Sequence, residues 1–324
     1  MNTHTGILLI NLGTPSASNA TSVKRYLNEF LTDPKVIDIP NPWRTLLVRG
    51  LITPFRAKKS AHAYQQIWTE QGSPLLVNSL ALKDNLQQAL GADYIVSLGM
   101  NYGEPSIADA MGELKDCGQI IVLPLFPQYS SAVTQSILDK VSSAHHQIKD
   151  FFNHPAYIKA MSENIQNTLD AVKPEYLLFS YHGLPMRQLY KTSGDICKSC
   201  TNNPCPNIQE KNRYCYRAQC YETSKLITEQ LALKEIKTLT CFQSRLGRLT
   251  WTQPYTEKVL AELAAQGIKR IAITCPSFVT DCLETLEEIG IRGRNTWLDL
   301  GGVELTLIPA LNNNATWLKA ILSQ

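Results

Sequence analysis

The sequence predicts an α/β protein of two similar doubly wound, Rossmann-like domains with parallel sheets flanking a cleft. Three observations predict it. Short apolar runs alternate with amphipathic ones along the whole chain, the signature of strand–helix units and a parallel sheet. The alternation runs through twice, with a break near Leu125-Phe-Pro-Gln-Tyr129 and no short-period repeat. A length of 324 residues also suits about two ordinary domains. The expected division is 1–127 and 128–324, with a cysteine-rich insertion at 191–215 and the last helix packing back on the first domain.

Element by element, Gly6-Ile-Leu-Leu-Ile-Asn11 opens as an apolar strand, followed by an amphipathic helix over 20–32. Residues 39–56 interrupt the pattern, mixing Leu46, Leu47, Val48, Leu51, Ile52 and Phe55 with Arg44, Arg49 and Arg56. An apolar helical stripe of this kind packs on a sheet, or else forms an apolar lip over a pocket or against lipid. Helices over 57–69 and 79–90, a strand at 94–99, a helix at 105–116 capped by Glu104 or Ser106, and a strand at 119–125 complete the first half. The second half reads as helices 132–147 and 156–171, strand 176–181, helix 216–232 and strand 237–242. Helix 255–266, opened by Pro254, strands 270–275 and 303–308 and helix 313–322 follow.

Composition narrows the function classes. Hydrophobic residues make up 44% and charged residues 18%, enough for full cores and against disorder. A net charge of +3 without a Lys/Arg run gives no footprint for nucleic acid. No apolar stretch approaches the roughly 20 residues of a membrane span. The N-terminus is too short and lightly flanked for a signal peptide, so the expectation is a soluble, cytoplasmic protein. Nine cysteines do not imply disulfides there. Cys117, Cys241, Cys275 and Cys282 are scattered, whereas Cys197, Cys200, Cys205, Cys215 and Cys220 crowd together.

Two segments carry chemistry. Tyr176-Leu-Leu-Phe-Ser-Tyr181 runs directly into His182-Gly-Leu-Pro185, placing an imidazole where an apolar strand leaves the core. Ligands bind in the crevice outside the carboxyl ends of such strands, and a histidine titrates or binds metal near neutral pH. A histidine capping the turn is the alternative. About a hundred residues on, strand 271–276 leads to Asp281-Cys-Leu-Glu-Thr-Leu-Glu-Glu288, where a helix would stack Glu284 and Glu288 on one face. Base and carboxylate ladder together suggest an acid–base or metal site.

The motifs as a set resemble ferrochelatases, which insert ferrous iron into a porphyrin. The set is Leu8-Leu-Ile-Asn-Leu-Gly-Thr-Pro15, Phe30-Leu-Thr-Asp-Pro34, Gly72-Ser-Pro-Leu75, Gly99-Met-Asn-Tyr-Gly103, Leu123–Ser130, Ser180–Pro185, Gln243-Ser-Arg-Leu-Gly247, Trp251 and Asp281–Glu288. By that resemblance His182 abstracts porphyrin protons and contacts metal, and Glu284 guides metal or protons along a chain continued by Glu288. Phe278 and Trp251 would line the pocket, or simply fill a core. Asp281 would orient the histidine side or cap the Glu284 helix. Tyr102 and Tyr129 would sit at the pocket edge, and Ser130 would meet a propionate or a turn. The implied substrates are Fe²⁺ and a porphyrin; protoporphyrin and coproporphyrin both suit a flat pocket, and the overall match is closer to the protoporphyrin-using type, with a monomer or weak dimer and transient membrane-surface contact. One departure stands out: Asn101 replaces the family's Arg, so another cation, Arg44 or Arg56, is expected to serve.

The cysteine spacing is that of thiolate ligands to an iron–sulfur cluster or structural zinc. The resemblance favours a [2Fe–2S] cluster on Cys197, Cys200, Cys205 and Cys215, since Cys220 falls within the following helix. Competing readings are a chelatase for another metal or tetrapyrrole, and a non-enzymatic porphyrin or haem carrier. A dinucleotide enzyme is disfavoured, because Asn11-Leu-Gly-Thr-Pro15 lacks G-x-G-x-x-G.

Overall fold

The computed structural model describes residues 4–141, 145–199, 205–247 and 249–322, with side chains omitted over 193–199. The chain forms two compact units, each built on a four-stranded parallel sheet. Within the described residues the first unit takes in the chain up to Leu125, then Ser131–Lys149 and Asn312–Lys319. The second comprises Phe126–Ser130, Asp150–Leu311 and the residues from Ala320.

In the first unit the sheet order is β2-β1-β3-β4, with β1 Thr5–Gly13, β2 Tyr94–Tyr102, β3 Gln119–Pro124 and β4 His146–Gln147. Ile7, Leu8, Leu9 and Ile10 are wholly buried, as expected for a central strand covered on both faces. Its helices are α1 Ala20–Leu31, α2 Trp43–Leu46, α3 Thr53–Ile67, α4 Pro74–Leu90, α5 Ile107–Glu113 and α6 Ser136–Leu138. Of the two proposed caps for α5, Ser106 fills the role, in a capping box with Asp109.

The second sheet repeats that order as β6-β5-β7-β8, with β5 Tyr176–His182, β6 Lys237–Gln243, β7 Arg270–Thr274 and β8 Glu304–Leu307. Its helices are α7 Pro155–Val172, α8 Met186–Ser199, α9 Tyr216–Leu231, α10 Thr256–Ala265 and α11 Arg294–Asp299. Helix α12, Thr316–Leu322, closes the described chain. Its Lys319 Nζ donates to the Ala89 carbonyl, and Asn85 Nδ2 donates to the Asn313 carbonyl, so the start of α12 is fastened to α4 of the first unit. Among the described residues no helix is long and apolar enough to cross a membrane.

Four features depart from the sequence reading. A single boundary after residue 127 does not describe the units, because β4 pairs with β3 and draws 131–149 into the first unit. The helix expected over 132–147 is instead a π-helical turn at Ser131–Gln135, the short α6 and β4. The insertion begins as a helix, since α8 runs to Ser199. Residues 39–56 do not bury an apolar stripe: α2, a π-helix at Leu47–Ile52 and the start of α3 leave Trp43, Leu46, Leu51 and Phe55 exposed. Ile39, Trp43, Leu46, Leu47, Gly50 and Leu51 border an open groove of about 510 Å³. The buried side chains there are Val48, Thr53 and Arg44, the last donating to the Ile39 carbonyl.

Candidate active site

Strand β5 lies between β6 and β7, so the chain's order reverses beside it and a crevice opens at its carboxyl end. His182 is the last residue of β5, in register with Gln243 of β6. Its ring is partly exposed. Nδ1 lies 2.6 Å from the Gly183 carbonyl, which has no proton to give, so Nδ1–H is the donor. In the neutral ring this leaves the lone pair on Nε2, the form a base or metal ligand needs. The turn after it has no room for a side chain. A Cβ on Gly183 would stand 2.7 Å from the Gln243 carbonyl and 3.4 Å from the Trp251 ring.

The backbone of His182 is held equally tightly. Its N–H donates to Ser277 Oγ at 3.1 Å, and its carbonyl accepts from the Tyr216 hydroxyl at 2.7 Å. Ser277 and Tyr216 are themselves hydrogen-bonded and buried. Thus three groups close a ring of hydrogen bonds around one residue's main chain.

The carboxylates come from the segment after β7. It is not the α-helix expected but a ten-residue π-helix, Glu284–Gly293. π-Helical segments are rare and concentrate at functional sites. The wider turn keeps positions four apart as neighbours, so Glu284 and Glu288 still form a ladder. The Cys282 thiol, kept neutral by burial, hydrogen-bonds the Glu284 side chain, and Gln243 Nε2 donates to the Glu284 carbonyl at 2.7 Å. Glu288 receives two bonds from Ser244, one from its N–H at 2.8 Å and one from its hydroxyl at 2.6 Å. Arg292 Nη2 stands 3.9 Å away. Burial raises the Glu288 carboxyl above the usual range, while Ser244, Arg292 and a charged His182 pull it down and Glu284 pushes it up. Glu288 is therefore within electrostatic reach of both His182 and Glu284. The three do not form a closed cage: among the described residues no three His, Cys, Asp or Glu are gathered to hold an ion.

Other predicted positions in this unit surround the crevice unevenly. Trp251 is buried, donates from Nε1 to the Leu246 carbonyl and bridges to Pro185, walling the Gly183 turn. Phe278 is half-buried with its ring edge-on to His182, centroids 6.3 Å apart. Asp281 Oδ1 accepts from Thr285 Oγ1 and the Ala310 N–H, the bonds of a residue anchoring the start of the π-helix. Tyr129 is partly exposed, its ring against Tyr214 and its N–H on Gln219. Ser130 is buried.

Comparison with known proteins gives this arrangement a family. The ferrochelatase family model matches residues 4–323. A ferrochelatase of Coxiella burnetii (strain Dugway 5J108-111) is 49% identical over 327 residues, covering 99% of this chain and 92% of that protein. A ferrochelatase of Legionella pneumophila subsp. pneumophila (strain Philadelphia 1) is 49% identical over 328 residues, covering 98% and 97%. The chain belongs to the ferrochelatase family. In fold it is also similar to the sirohydrochlorin chelatase SirB from Bacillus subtilis subspecies spizizenii, solved in complex with cobalt. That likeness has a TM-score of 0.51 at 12% identity, over 99% of this chain and 93% of the other.

Against the ferrochelatase pattern, Asn101 can now be placed. In the first unit, Lys140 Nζ donates to both the Asn101 carbonyl at 2.8 Å and Asn101 Oδ1 at 2.7 Å, and lies 4.7 Å from the centroid of the Tyr102 ring. Lys140 is thus a cation held beside residue 101. Tyr102 is buried rather than at a pocket edge. Its hydroxyl donates to Asp33 Oδ2, which also accepts from Ser136, and burial pushes the phenol well above its ordinary pKa.

Of the cysteines, Cys200 and the side chain of Cys197 lie outside the described residues. Cys205 and Cys215 pack on one apolar cluster with Leu184, Met186, Leu189 and Tyr190. Cys215 is the N-cap of α9, at the positive end of the helix dipole. Arg217 Nη1 donates to Cys205 Sγ at 2.7 Å. Cys220 is buried in α9 with its thiol pushed well up by burial, so it is a core thiol. Sequence reasoning missed Gln243 and Ser244 as functional groups, although both stand in the quoted Gln243–Gly247 motif. It also missed Tyr216, Ser277 and Lys140, for which no local signal exists.

Proposed function

We propose that this chain inserts Fe²⁺ into protoporphyrin IX, releasing two protons and forming protohaem in haem biosynthesis. The observation that carries the reading is the paired geometry at the carboxyl end of β5. There an imidazole with its Nε2 lone pair available stands within electrostatic reach of a carboxyl whose pKa is raised by burial.

The chemistry needs both groups. A free-base porphyrin must lose two N–H protons as iron enters. His182 takes a proton at Nε2, and the charge it gains lowers the pKa of Glu288. Glu288, steadied by two Ser244 bonds, accepts the second proton or passes it along the ladder toward solvent at Arg292. Fe²⁺ sheds water against Glu284, Glu288 and His182 on its way to the ring, as the resemblance implies. At a turnover of order 1 s⁻¹ the barrier is about 17 kcal/mol, and holding the ring bent supplies about 1–5 kcal/mol of it. Trp251, beside Gly183, and Phe278, edge-on to His182, are aromatic surfaces that suit such a macrocycle.

We read the cysteine segment as the seat of a [2Fe–2S] cluster held by Cys197, Cys200, Cys205 and Cys215. The described residues fit: a helix N-terminus carries Cys215, and a guanidinium donates to Cys205. When bound, such a centre supplies structural cross-linking and a one-electron redox state, neither of which iron insertion consumes. The exposed Trp43, Leu46, Leu51 and Phe55 support transient contact with a membrane surface, to be checked by co-sedimentation with lipid vesicles.

The test is an anaerobic assay with Fe²⁺ and protoporphyrin. Conversion of the free-base spectrum to that of haem is the expected result. Porphyrin binding with no metal insertion would instead make the chain a carrier.

A further inference from the structure

The end of β6 holds both halves of the site at once, largely through one residue. Gln243 is buried, is the last residue of that strand and stands in register with His182. Its main-chain carbonyl accepts from the Gly183 N–H at 2.8 Å, which fixes the turn after the imidazole. Its side-chain Nε2 donates to the Glu284 carbonyl at 2.7 Å, at the start of the π-helix. The next residue, Ser244, holds the Glu288 carboxylate with its N–H and its hydroxyl. Two consecutive residues therefore grip the π-helix at positions four apart and, through Gly183, the His182 turn.

The Gln243 amide is itself aimed. Oε1 accepts from Ser180 Oγ at 2.6 Å, and Cys275 Sγ, a thiol kept protonated by burial, is a second donor at 3.5 Å. Ser180 Oγ lies 2.9 Å from Thr256 Oγ1, at the start of α10. With donors facing its oxygen and an acceptor facing its nitrogen, only one orientation of the amide satisfies both ends. Ser180, Thr256 and Cys275 are all buried. A strand end built for packing alone would carry apolar side chains here, because each buried polar group must find a partner or cost stability.

We propose that Gln243 is a positioning residue that fixes the spacing between the His182 imidazole and the Glu284–Glu288 carboxylates. The proposal rests on the reading of those groups as the ones that take protons and guide metal. The amide is spent on Ser180, Cys275 and Glu284, so it acts through other residues. Without it the start of the π-helix is free to shift against β5, and a misplacement of about 1 Å costs about 10²-fold in rate.

The experiment compares two substitutions. Gln243→Met keeps the bulk of the side chain and the main-chain bond to Gly183 but removes the amide bonds. Its kcat for Fe²⁺ insertion should fall by between about fivefold, the worth of one hydrogen bond, and about 10²-fold, with the porphyrin KM little changed. In Gln243→Glu a neutral carboxyl can donate to the Glu284 carbonyl while accepting from Ser180, whereas a carboxylate only accepts. The ratio of its kcat to that of wild type should be near one in acid and fall as pH rises. The ¹⁵N-histidine ring signals of His182, identified by their loss in His182→Ala, should follow the same pattern. They should be displaced in Gln243→Met, coincide with wild type in acid for Gln243→Glu, and separate from it at higher pH. Should Gln243→Met fold poorly, Gln243→Glu gives the decision alone. Undiminished kcat in folded Gln243→Met would overturn the proposal, as would a Gln243→Glu ratio that is flat with pH. So would His182 signals that match wild type in both variants, or a raised porphyrin KM at unchanged kcat, which would make Gln243 a pocket residue. A wild type that inserts no iron would instead sink the functional reading, and the ring signals, read without substrate, would still judge Gln243.

Discussion

Replacing Ser244 with alanine removes the hydroxyl that donates to Glu288 at 2.6 Å and leaves the backbone N–H bond at 2.8 Å in place. The carboxylate is the form these bonds favour. Burial already raises the Glu288 pKa, and the Ser244 bond is the largest influence opposing it. A hydrogen bond to a charged group contributes about 1.5–3 kcal/mol, and one pKa unit corresponds to about 1.4 kcal/mol. The Glu288 pKa should therefore climb further in Ser244→Ala. If the ionised carboxylate is the proton acceptor, activity rises with pH through that pKa. The acid limb of the kcat/KM profile should then move to higher pH, while the plateau above it stays near wild type. Stability follows the same sign. Because the folded pKa lies above the unfolded one, ionising Glu288 weakens the fold as pH rises through the folded value, and losing Ser244 enlarges that penalty. Denaturant unfolding should show a loss of about 1.5–3 kcal/mol on the alkaline side that shrinks in acid. Metal-insertion rates across about pH 5 to 9 supply the assay. An acid limb that stays put, or moves to lower pH, would refute the role given to Glu288.

Gly183→Ala puts a methyl against the Gln243 carbonyl, so a destabilisation of about 1–3 kcal/mol or more is expected in urea unfolding, with a loss of turnover as the His182 turn shifts. Lys140→Ala should cost about 1–2 kcal/mol by removing a cation with two hydrogen bonds to Asn101, and Asn101→Arg in that background should recover most of it. A double-mutant cycle checks this pair, and independent, additive effects would contradict it. Cys220→Ala should purify with the same visible absorption and iron and sulfide content as wild type, whereas Cys205→Ala and Cys215→Ala should lose both.

The strands were legible because β1, β5 and β7 are buried on both faces and read as unbroken apolar runs. His182 was legible for the same reason: it is the first titratable residue after such a run. The Glu284–Glu288 spacing also survived, since neighbours four apart remain neighbours in either helix type. The π-helix itself was not legible, because its hydrogen-bond register leaves little mark on side-chain periodicity over ten residues. Ser244 reaches Glu288 from a left-handed backbone position, φ 65°, that no propensity assigns to serine. Lys140 on Asn101 and Tyr216 on His182 span 39 and 34 positions respectively, contacts that exist only once the fold is formed. The exposed apolar face of 43–55 was one of two readings left open, because an amphipathic stripe does not say which way it faces.

Porphyrin binding and iron insertion measured side by side in His182→Ala test the central claim most directly. The account predicts binding close to wild type, since the imidazole is partly exposed and its backbone ring with Ser277 and Tyr216 remains. It predicts insertion slowed by about 10²–10⁴-fold, the range for removing a general base. Turnover within a few fold of wild type would contradict it.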